Sequence, residues 1–186
     1  MKTESILFLD VDGVLNSQVW YRSKEFNELW KARRPFTEDW ELEAFDPKAI
    51  SVLNTILDTF PELQIVVSST WRLSHTPEQL AAIMTVQGFK HSERMRGHTG
   101  SHGYYMSKAR GIPSNQNSRG LEIAEWLDTF VKHPYRFVII DDDSDMWELR
   151  EHFVHTRNSI GLCEQHLEKI AEVLNKPAIT TVWLTH

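Results

Sequence analysis

The chain has 186 residues, of which 41% are hydrophobic and 25% are charged, so we expect one α/β domain over 1–186 with inserts at about 17–46 and 89–118. The formal net charge of −6 argues against a protein that is held on nucleic acid by bulk electrostatics. A single cysteine excludes an internal disulfide and a thiolate zinc cluster, and the chain has no apolar run of membrane-spanning length, so we expect a cytoplasmic protein without a membrane partner.

Apolar runs rich in Ile, Val and Phe alternate with segments that have helical spacing. In the first half of the chain, the predicted elements are a strand at 5–9, a helical stretch at about 17–34, a helix capped by Asp46 with Pro47 at its first position, and a strand at 63–67. A helix that begins at Thr76-Pro77 follows, and then a short strand and a loop within 89–118. In the last part, the predicted elements are a helix that begins at Arg119, strands at 136–140 and 152–156, an amphipathic helix at 164–174 and a late edge strand at 178–184. This order predicts a mostly parallel sheet flanked by helices.

Polar residues follow three of the predicted strands at the point where each strand ends. Ligands of open parallel sheets bind beyond the carboxyl ends of the strands. The side chains expected at this edge are Asp10, Asp12, Ser68, Asp141, Asp142 and Asp145. Together they predict a site for a phosphoryl group and a metal ion.

The first of these motifs is Asp10-Val-Asp12-Gly13, in which Gly13 permits a turn just beyond the strand. A carboxylate oxygen at such a strand end is able to attack phosphorus, which makes Asp10 the candidate nucleophile. Asp12 is the candidate general acid and base. The alternatives are a pair of acids that forms an Asx-type turn, or a metal-nucleotide motif of the glycosyltransferase type.

Four carboxylates crowd into the five residues from Asp141 to Asp145. They repel one another unless a cation neutralises them, and ligands made only of oxygen suit Mg²⁺. Asp143 is interpreted as an acid that favours a helix start and lies outside the site. The candidate metal ligands are Asp10, Asp12, Asp141, Asp142 and Asp145.

Hydroxyl and guanidinium groups complete the predicted site. Ser68 is the candidate that holds the oxygens of the transferring phosphoryl group, with its neighbours Ser69 and Thr70 as alternatives. Ser69 and Arg72 are candidate substrate-binding residues, although Ser69 can instead turn the chain into a helix and Arg72 can instead pair with a surface carboxylate. Arg119 is the candidate cation opposite the metal, with Arg72 and Lys108 as alternatives.

In this order, over roughly residues 5–160, the motifs resemble those of the haloacid dehalogenase-like (HAD) superfamily of phosphatases. The motifs are Asp10-Val-Asp-Gly-Val-Leu, Ser68-Ser-Thr-Trp-Arg72, Arg119-Gly-x-x-Ile-x-x-Trp-Leu and Asp141-Asp142-x-x-Asp145. Within the superfamily they look most like the HAD domain of Swiss-army-knife RNA repair proteins. The resemblance implies a Rossmann-like three-layer α/β/α domain with a small cap or insert, Mg²⁺ as cofactor, and phosphomonoester hydrolysis through an aspartyl-phosphate. Arg119 stands where many members of the superfamily carry Lys.

The expected partner is a phosphorylated substrate, and a nucleic-acid end is the favoured class. Basic residues alternate with aromatic ones between Trp20 and Arg34, which is a composition that grips phosphates and stacks bases. The alternative for this segment is an ordinary amphipathic helix whose aromatic residues enter the core. The alternative for the whole chain is a catalytically weak phosphate- or nucleic-acid-binding module of the same fold. A receiver domain is disfavoured because Asp10 and Asp12 follow the first strand.

Overall fold

The computed structural model of the protein describes residues 3–32, 45–100, 119–131 and 134–180. Within these residues five strands form one parallel sheet in the order β3-β2-β1-β4-β5, with β1 in the centre. Their bounds are β1 Glu4–Leu9, β2 Leu63–Val67, β3 Met95–His98, β4 Tyr135–Asp141 and β5 Phe153–His155. The predicted mostly parallel sheet is confirmed.

Helices flank this sheet, and most begin where the sequence predicts them. The described helices are α1 Gln18–Tyr21, α2 Lys24–Ala32, α3 Pro47–Thr59, α4 Pro77–Val86, α5 Arg119–Phe130 and α6 Leu167–Leu174, with 3₁₀ turns at Thr70–Leu73, Ser92–Arg94, Trp147–His152 and Glu164–His166. The helical stretch predicted at about 17–34 contains two helices in the described residues. It is divided into α1 and α2, because Ser23 accepts a hydrogen bond from Phe26 N at 3.0 Å and caps a new helix there.

Alternation along β1 explains the three layers of the fold. Leu7 and Leu9 face one side of the sheet, where they pack with residues of α3, α4 and α6. Ile6 and Phe8 face the other side, where they pack with residues of α5. Because successive strand residues point to opposite faces, a continuous apolar run is buried on both sides only between two helical layers. The Rossmann-like three-layer prediction is therefore confirmed.

Local capping signals also appear as the sequence predicts. The Asp46 side chain accepts from Lys48 N at 2.9 Å and begins α3 with Pro47. Thr76 and Gln79 form a reciprocal capping box at the start of α4. These caps orient α3 and α4 so that their apolar faces lie on the sheet.

Some predictions reach beyond the described residues. The short strand expected within 89–118 is β3. The described residues do not include 33–44 or 101–118, and the second of these ranges contains Lys108. Of the late strand expected at 178–184, the structure describes an isolated antiparallel bridge from Ile179 to Tyr135, and residues 181–184 lie outside the described part. None of the described helices is long and apolar enough to cross a lipid bilayer.

Candidate active site

The candidate site lies at the carboxyl edge of the sheet, where three neighbouring strands end side by side. Asp10 N donates to Ile140 O at 3.0 Å, which places Asp10 beside the end of β4. Ser68 N donates to Leu9 O at 2.8 Å, which places Ser68 beside the end of β1. From β1 the chain first adds β2 and β3 on one side of the sheet, and then crosses over to add β4 and β5 on the other side. Such a switch point opens a crevice for ligands at the carboxyl ends of the strands. The sheet topology thus brings residues from three distant segments to one place.

Three carboxylates meet in this crevice. Asp10, Asp141 and Asp142 each offer an oxygen within 4.8 Å of the others. Asp10 and Asp141 are almost fully buried, with 4% and 1% exposure. Burial raises the pKa of Asp10 to about 6 against the opposing effect of Arg119. Burial and the neighbouring Asp10 charge raise the pKa of Asp141 to about 8.

This donor set fits a hard divalent cation. All three groups supply carboxylate oxygens, which Mg²⁺ prefers. The buried Asp141 Oδ2 has no hydrogen-bond partner among the described residues, although Arg119 Nε lies 3.3 Å from it. Like charges that are buried this close together favour a bound cation or protonation, and burial raises the pKa of both Asp10 and Asp141. Asp12 and Asp145, which the sequence also suggests as ligands, are not members of this group.

Arg119 stands at the first position of α5 and points into the carboxylate group. Its Nη2 lies 3.7 Å from Asp10 Oδ1, its Nε lies 3.3 Å from Asp141 Oδ2, and only 14% of the side chain is exposed. Asp145 Oδ2 accepts a hydrogen bond from Arg119 N at 2.8 Å, so Asp145 caps the amino end of α5. A Cβ at Gly120 would lie 2.8 Å from Met146 O, so glycine permits this close approach. Asp145, in the Asp141–Asp145 motif, thus fixes the start of α5, the helix that carries Arg119.

Asp12 is held at the edge of the site by two side chains. Trp71 Nε1 donates to Asp12 Oδ1 and Oδ2, both at 3.1 Å, and Asn16 Nδ2 donates to Oδ1 at 2.8 Å. Asn16 Oδ1 in turn accepts from Gly13 N at 2.9 Å. These bonds orient the carboxylate and leave it partly accessible, which suits an acid and base that must meet both a leaving group and water.

Gly13 allows the loop after β1 to pack closely against Asp142. Its φ is +72°, and a Cβ there would lie 2.3 Å from Asp142 Oδ2. Thr156 Oγ1 donates to Gly13 O at 3.1 Å and fixes the same peptide from β5's side. Glycine is therefore required both for the backbone conformation and for the position of Asp142.

The adjacent residues Ser68 and Ser69 are both fully buried but have different surroundings. Ser68 Oγ has no hydrogen-bond partner among the described residues. Ser69 Oγ accepts from Trp71 N at 3.4 Å, and its side chain also hydrogen-bonds Asp10 and lowers the pKa of that carboxyl. A buried hydroxyl without a partner is uncommon, and beside the carboxylate group it is available to a ligand.

Arg72, a predicted substrate-binding residue, is engaged by protein groups. Its Nη2 lies 2.9 Å from Glu122 Oε1, its Nη1 donates to Ser69 O at 2.7 Å, and its side chain is only 8% exposed. Glu122 also lies 3.8 Å from Arg119 Nη1. Glu122 therefore ties the two arginines together beside Asp10.

Three side chains that contact the site residues were not predicted from the sequence, namely Glu122, Asn16 and the Trp71 indole. The usable signals were weak. Glu122 lies three residues after Arg119 on a helix, and Asn16 lies four residues after Asp12, which are spacings that allow contact but occur often by chance. The Trp71 contact with Asp12 joins residues 59 positions apart and needs the folded structure.

Residues 6–167 match the family described as the HAD domain in Swiss Army Knife RNA repair proteins. Comparison with curated proteins and comparison with solved structures gave no significant match. The match spans strands β2 to β5, β1 from Ile6 onward, and every segment of the candidate site. The chain therefore belongs to the family of HAD domains in Swiss Army Knife RNA repair proteins.

Proposed function

We propose that the protein is a magnesium-dependent phosphomonoester hydrolase that acts through an aspartyl-phosphate on Asp10. The observation that carries the proposal is the convergence of three carboxylates, an arginine and a buried, unsatisfied hydroxyl at one end of the sheet. Family membership supports a phosphatase-type function in general. The nucleic-acid end is the favoured substrate class because the family is one of RNA repair proteins.

The first half-reaction forms a bond between an Asp10 oxygen and the substrate phosphorus. The bond between phosphorus and the ester oxygen breaks, and Asp12 gives its proton to that leaving oxygen. Asp10 must be ionised to attack, and the Arg119 charge opposes the effect of burial on the pKa of this carboxyl. Ser68 would donate to a phosphoryl oxygen, and this bond would satisfy a hydroxyl that has no partner among the described residues.

The second half-reaction returns the enzyme to its starting state. Asp12 removes a proton from water, the water oxygen bonds to phosphorus, and the bond from phosphorus to Asp10 breaks. Inorganic phosphate leaves, and Asp12 is protonated for the next cycle. Trp71 and Asn16 hold the Asp12 carboxylate in one place through both halves.

Asp10, Asp141 and Asp142 would hold the Mg²⁺ ion. When bound, the ion supplies positive charge that offsets the crowded carboxylates and the phosphoryl group. Asp145 supports this arrangement through α5, since its contact is with the backbone of Arg119.

Hydrolysis of an aryl phosphate with and without EDTA tests the proposal. The wild-type protein should turn over with Mg²⁺ and lose activity in EDTA, and Asp10→Asn should lower turnover by at least about a thousandfold while it keeps the fold. Comparison of a 3′-phosphorylated oligonucleotide, a 5′-phosphorylated one and small phosphomonoesters then identifies the substrate. Phosphate binding without turnover would instead favour a binding module of the same fold.

A further inference from the structure

Glu122 lies in the first turn of α5 and faces two arginines that come from different parts of the chain. Its carboxylate accepts two hydrogen bonds from Arg72 Nη2, to Oε1 at 2.9 Å and to Oε2 at 3.0 Å. Its Oε2 also lies 3.8 Å from Arg119 Nη1. One carboxylate therefore joins the helix that carries Arg119 to the segment that follows Ser68 and Ser69.

An ordinary acid at a helix start does not explain this arrangement. Acidic residues in the first turn are favoured by the helix dipole at the protein surface, where they stay in water. The Glu122 side chain is only 13% exposed, and those of Arg72 and Arg119 are 8% and 14% exposed. Burial of charged groups costs free energy that their attraction offsets only in part, so the cluster is weak evidence for a role in stability. It is better suited to hold a charged group in one geometry.

Each nitrogen of the Arg119 guanidinium faces a different carboxylate. Nη2 lies 3.7 Å from Asp10 Oδ1, Nε lies 3.3 Å from Asp141 Oδ2, and Nη1 lies 3.8 Å from Glu122 Oε2. These distances exceed the roughly 2.7–2.9 Å of a charge-assisted hydrogen bond, so the place of the guanidinium depends on all three partners. Asp10 and Asp141 belong to the carboxylate group that would hold a metal ion. Of the three partners, Glu122 is the one with no part in the proposed metal site or in nucleophilic attack.

Arg72 extends the contact of Glu122 to the loop after β2. Its Nη1 donates to Ser69 O at 2.7 Å, while its Nη2 donates to Glu122. Ser69 follows Ser68 directly, and its side chain hydrogen-bonds the Asp10 carboxyl. Because both terminal nitrogens of Arg72 bond to protein groups, this arginine is held by the loop and by α5 at once. A displacement of Glu122 would therefore disturb the loop as well as Arg119.

We propose that Glu122 is a positioning residue of the phosphoryl-transfer site, which keeps Arg119 and the Ser68-Ser69 loop in fixed places relative to Asp10. Arg72 takes part in the same task, in place of the direct substrate contact that the sequence predicts. This inference rests on the proposed phosphatase function and adds to it two residues that act through others. Positioning matters most in the transition state, because a misplaced cation keeps its charge near the substrate but loses its alignment with the developing charge.

The test measures Glu122→Gln on the full chain with Mg²⁺. Glutamine retains an acceptor for Arg72 but removes the charge that faces Arg119. With an aryl phosphate we expect kcat to fall about 100-fold, the effect of misplacing a group by about 1 Å, while KM changes by less than about threefold. In calorimetric titrations the affinity for orthovanadate, an analogue of the transition state, should fall by a similar factor, and that for inorganic phosphate by less than about tenfold.

Glu125→Gln is the matched control, because it removes the same charge from the same helix three residues further on. Among the described residues, the ion pairs of Arg72 and Arg119 do not include Glu125. This variant should behave as wild type in the kinetic and the binding measurements.

Arg72→Gln tests whether Arg72 and Glu122 act as one unit. It should also lower kcat with little change in KM, and the double variant Arg72→Gln/Glu122→Gln should lose less than the product of the two single losses. If Glu122→Gln does not fold, the double variant takes its place, since it leaves no buried charge at position 72, and its kcat should fall about 100-fold.

Three results would overturn the positioning role of Glu122: an unchanged kcat in the folded variant, an equal loss in Glu125→Gln, or affinities for orthovanadate and phosphate that fall by the same factor. A raised KM with unchanged kcat in Arg72→Gln would overturn the assignment of Arg72, because that result identifies a direct contact with the substrate. A wild-type protein inactive on every phosphomonoester would overturn the proposed function, and the role of Glu122 with it.

Discussion

Replacement of Ser68 by alanine tests whether the buried hydroxyl is reserved for a ligand. Ser68 is 0% exposed, and its Oγ has no hydrogen-bond partner among the described residues. A buried hydroxyl left unsatisfied costs about 1–3 kcal/mol, and its removal leaves only a small space. We expect Ser68→Ala to raise the free energy of unfolding of the ligand-free protein by about 1 kcal/mol. For a domain of this length that is a rise in Tm of about 2–4 °C.

Ser69→Ala is the matched control for this experiment. Ser69 is equally buried, but its Oγ accepts from Trp71 N and caps the 3₁₀ turn at Thr70–Leu73. Loss of such a cap costs about 0.5–2 kcal/mol, so Ser69→Ala should lower the free energy of unfolding. The same substitution at two adjacent buried serines is thus expected to have opposite signs.

The assay is thermal and urea denaturation of both variants in EDTA without phosphate, together with turnover of an aryl phosphate in Mg²⁺. Turnover of Ser68→Ala should fall about 100- to 1,000-fold, the usual effect of removing one donor to a developing charge. A Ser68→Ala protein that is as destabilised as Ser69→Ala would show that the hydroxyl has a structural partner. Unchanged turnover would show that it does not hold the phosphoryl group.

Three further predictions concern the loop, the general acid and pH. Gly13→Ala places a Cβ 2.3 Å from Asp142 Oδ2 and should weaken Mg²⁺ binding at least about tenfold. Because a bound ligand raises Tm, the rise in Tm on addition of Mg²⁺ should be smaller in Gly13→Ala than in the wild type, and an equal rise would contradict this prediction. Trp71→Phe keeps the ring but removes the donor to Asp12, and should lower kcat about 10- to 100-fold with little change in KM; full kcat would mean that other groups position Asp12. Burial lowers the pKa of His152, so the unfolded chain binds this proton at a higher pH than the folded protein does. The stabilising contribution of neutral His152 is therefore present above about pH 6.5 and is lost as pH falls below that value. His152→Gln should make the urea midpoint depend less on pH in this range. A urea midpoint that changes with pH as steeply in the variant as in the wild type would refute the assignment.

The sequence predicted those features that depend on local patterns. Buried strands are visible as apolar runs, and α3 is visible from Asp46-Pro47 and its apolar stripe. The first, second and fourth motifs were found because each follows a strand directly, so the parallel sheet alone brings them together. Placement of Arg119 at the site needed only the helix start before β4.

Features that depend on tertiary contacts were not predictable in the same way. The role of Glu122 arises because Arg72 and Arg119 approach it from different segments. The break between α1 and α2 depends on one serine cap, which outweighs the helical spacing on either side. None of the described residues of α2 is fully buried, and hydrophobic spacing alone does not specify this, because burial depends on which neighbours pack against the helix.

Detection of the covalent intermediate tests the central claim most directly. Asp12→Asn should slow hydrolysis of the intermediate, so after reaction with an aryl phosphate and acid quenching the phosphate should be found on Asp10 by peptide mass spectrometry. The same treatment of Asp10→Asn should give no phosphorylated peptide. Phosphate on another residue, or undiminished turnover by Asp10→Asn, would contradict nucleophilic catalysis by Asp10.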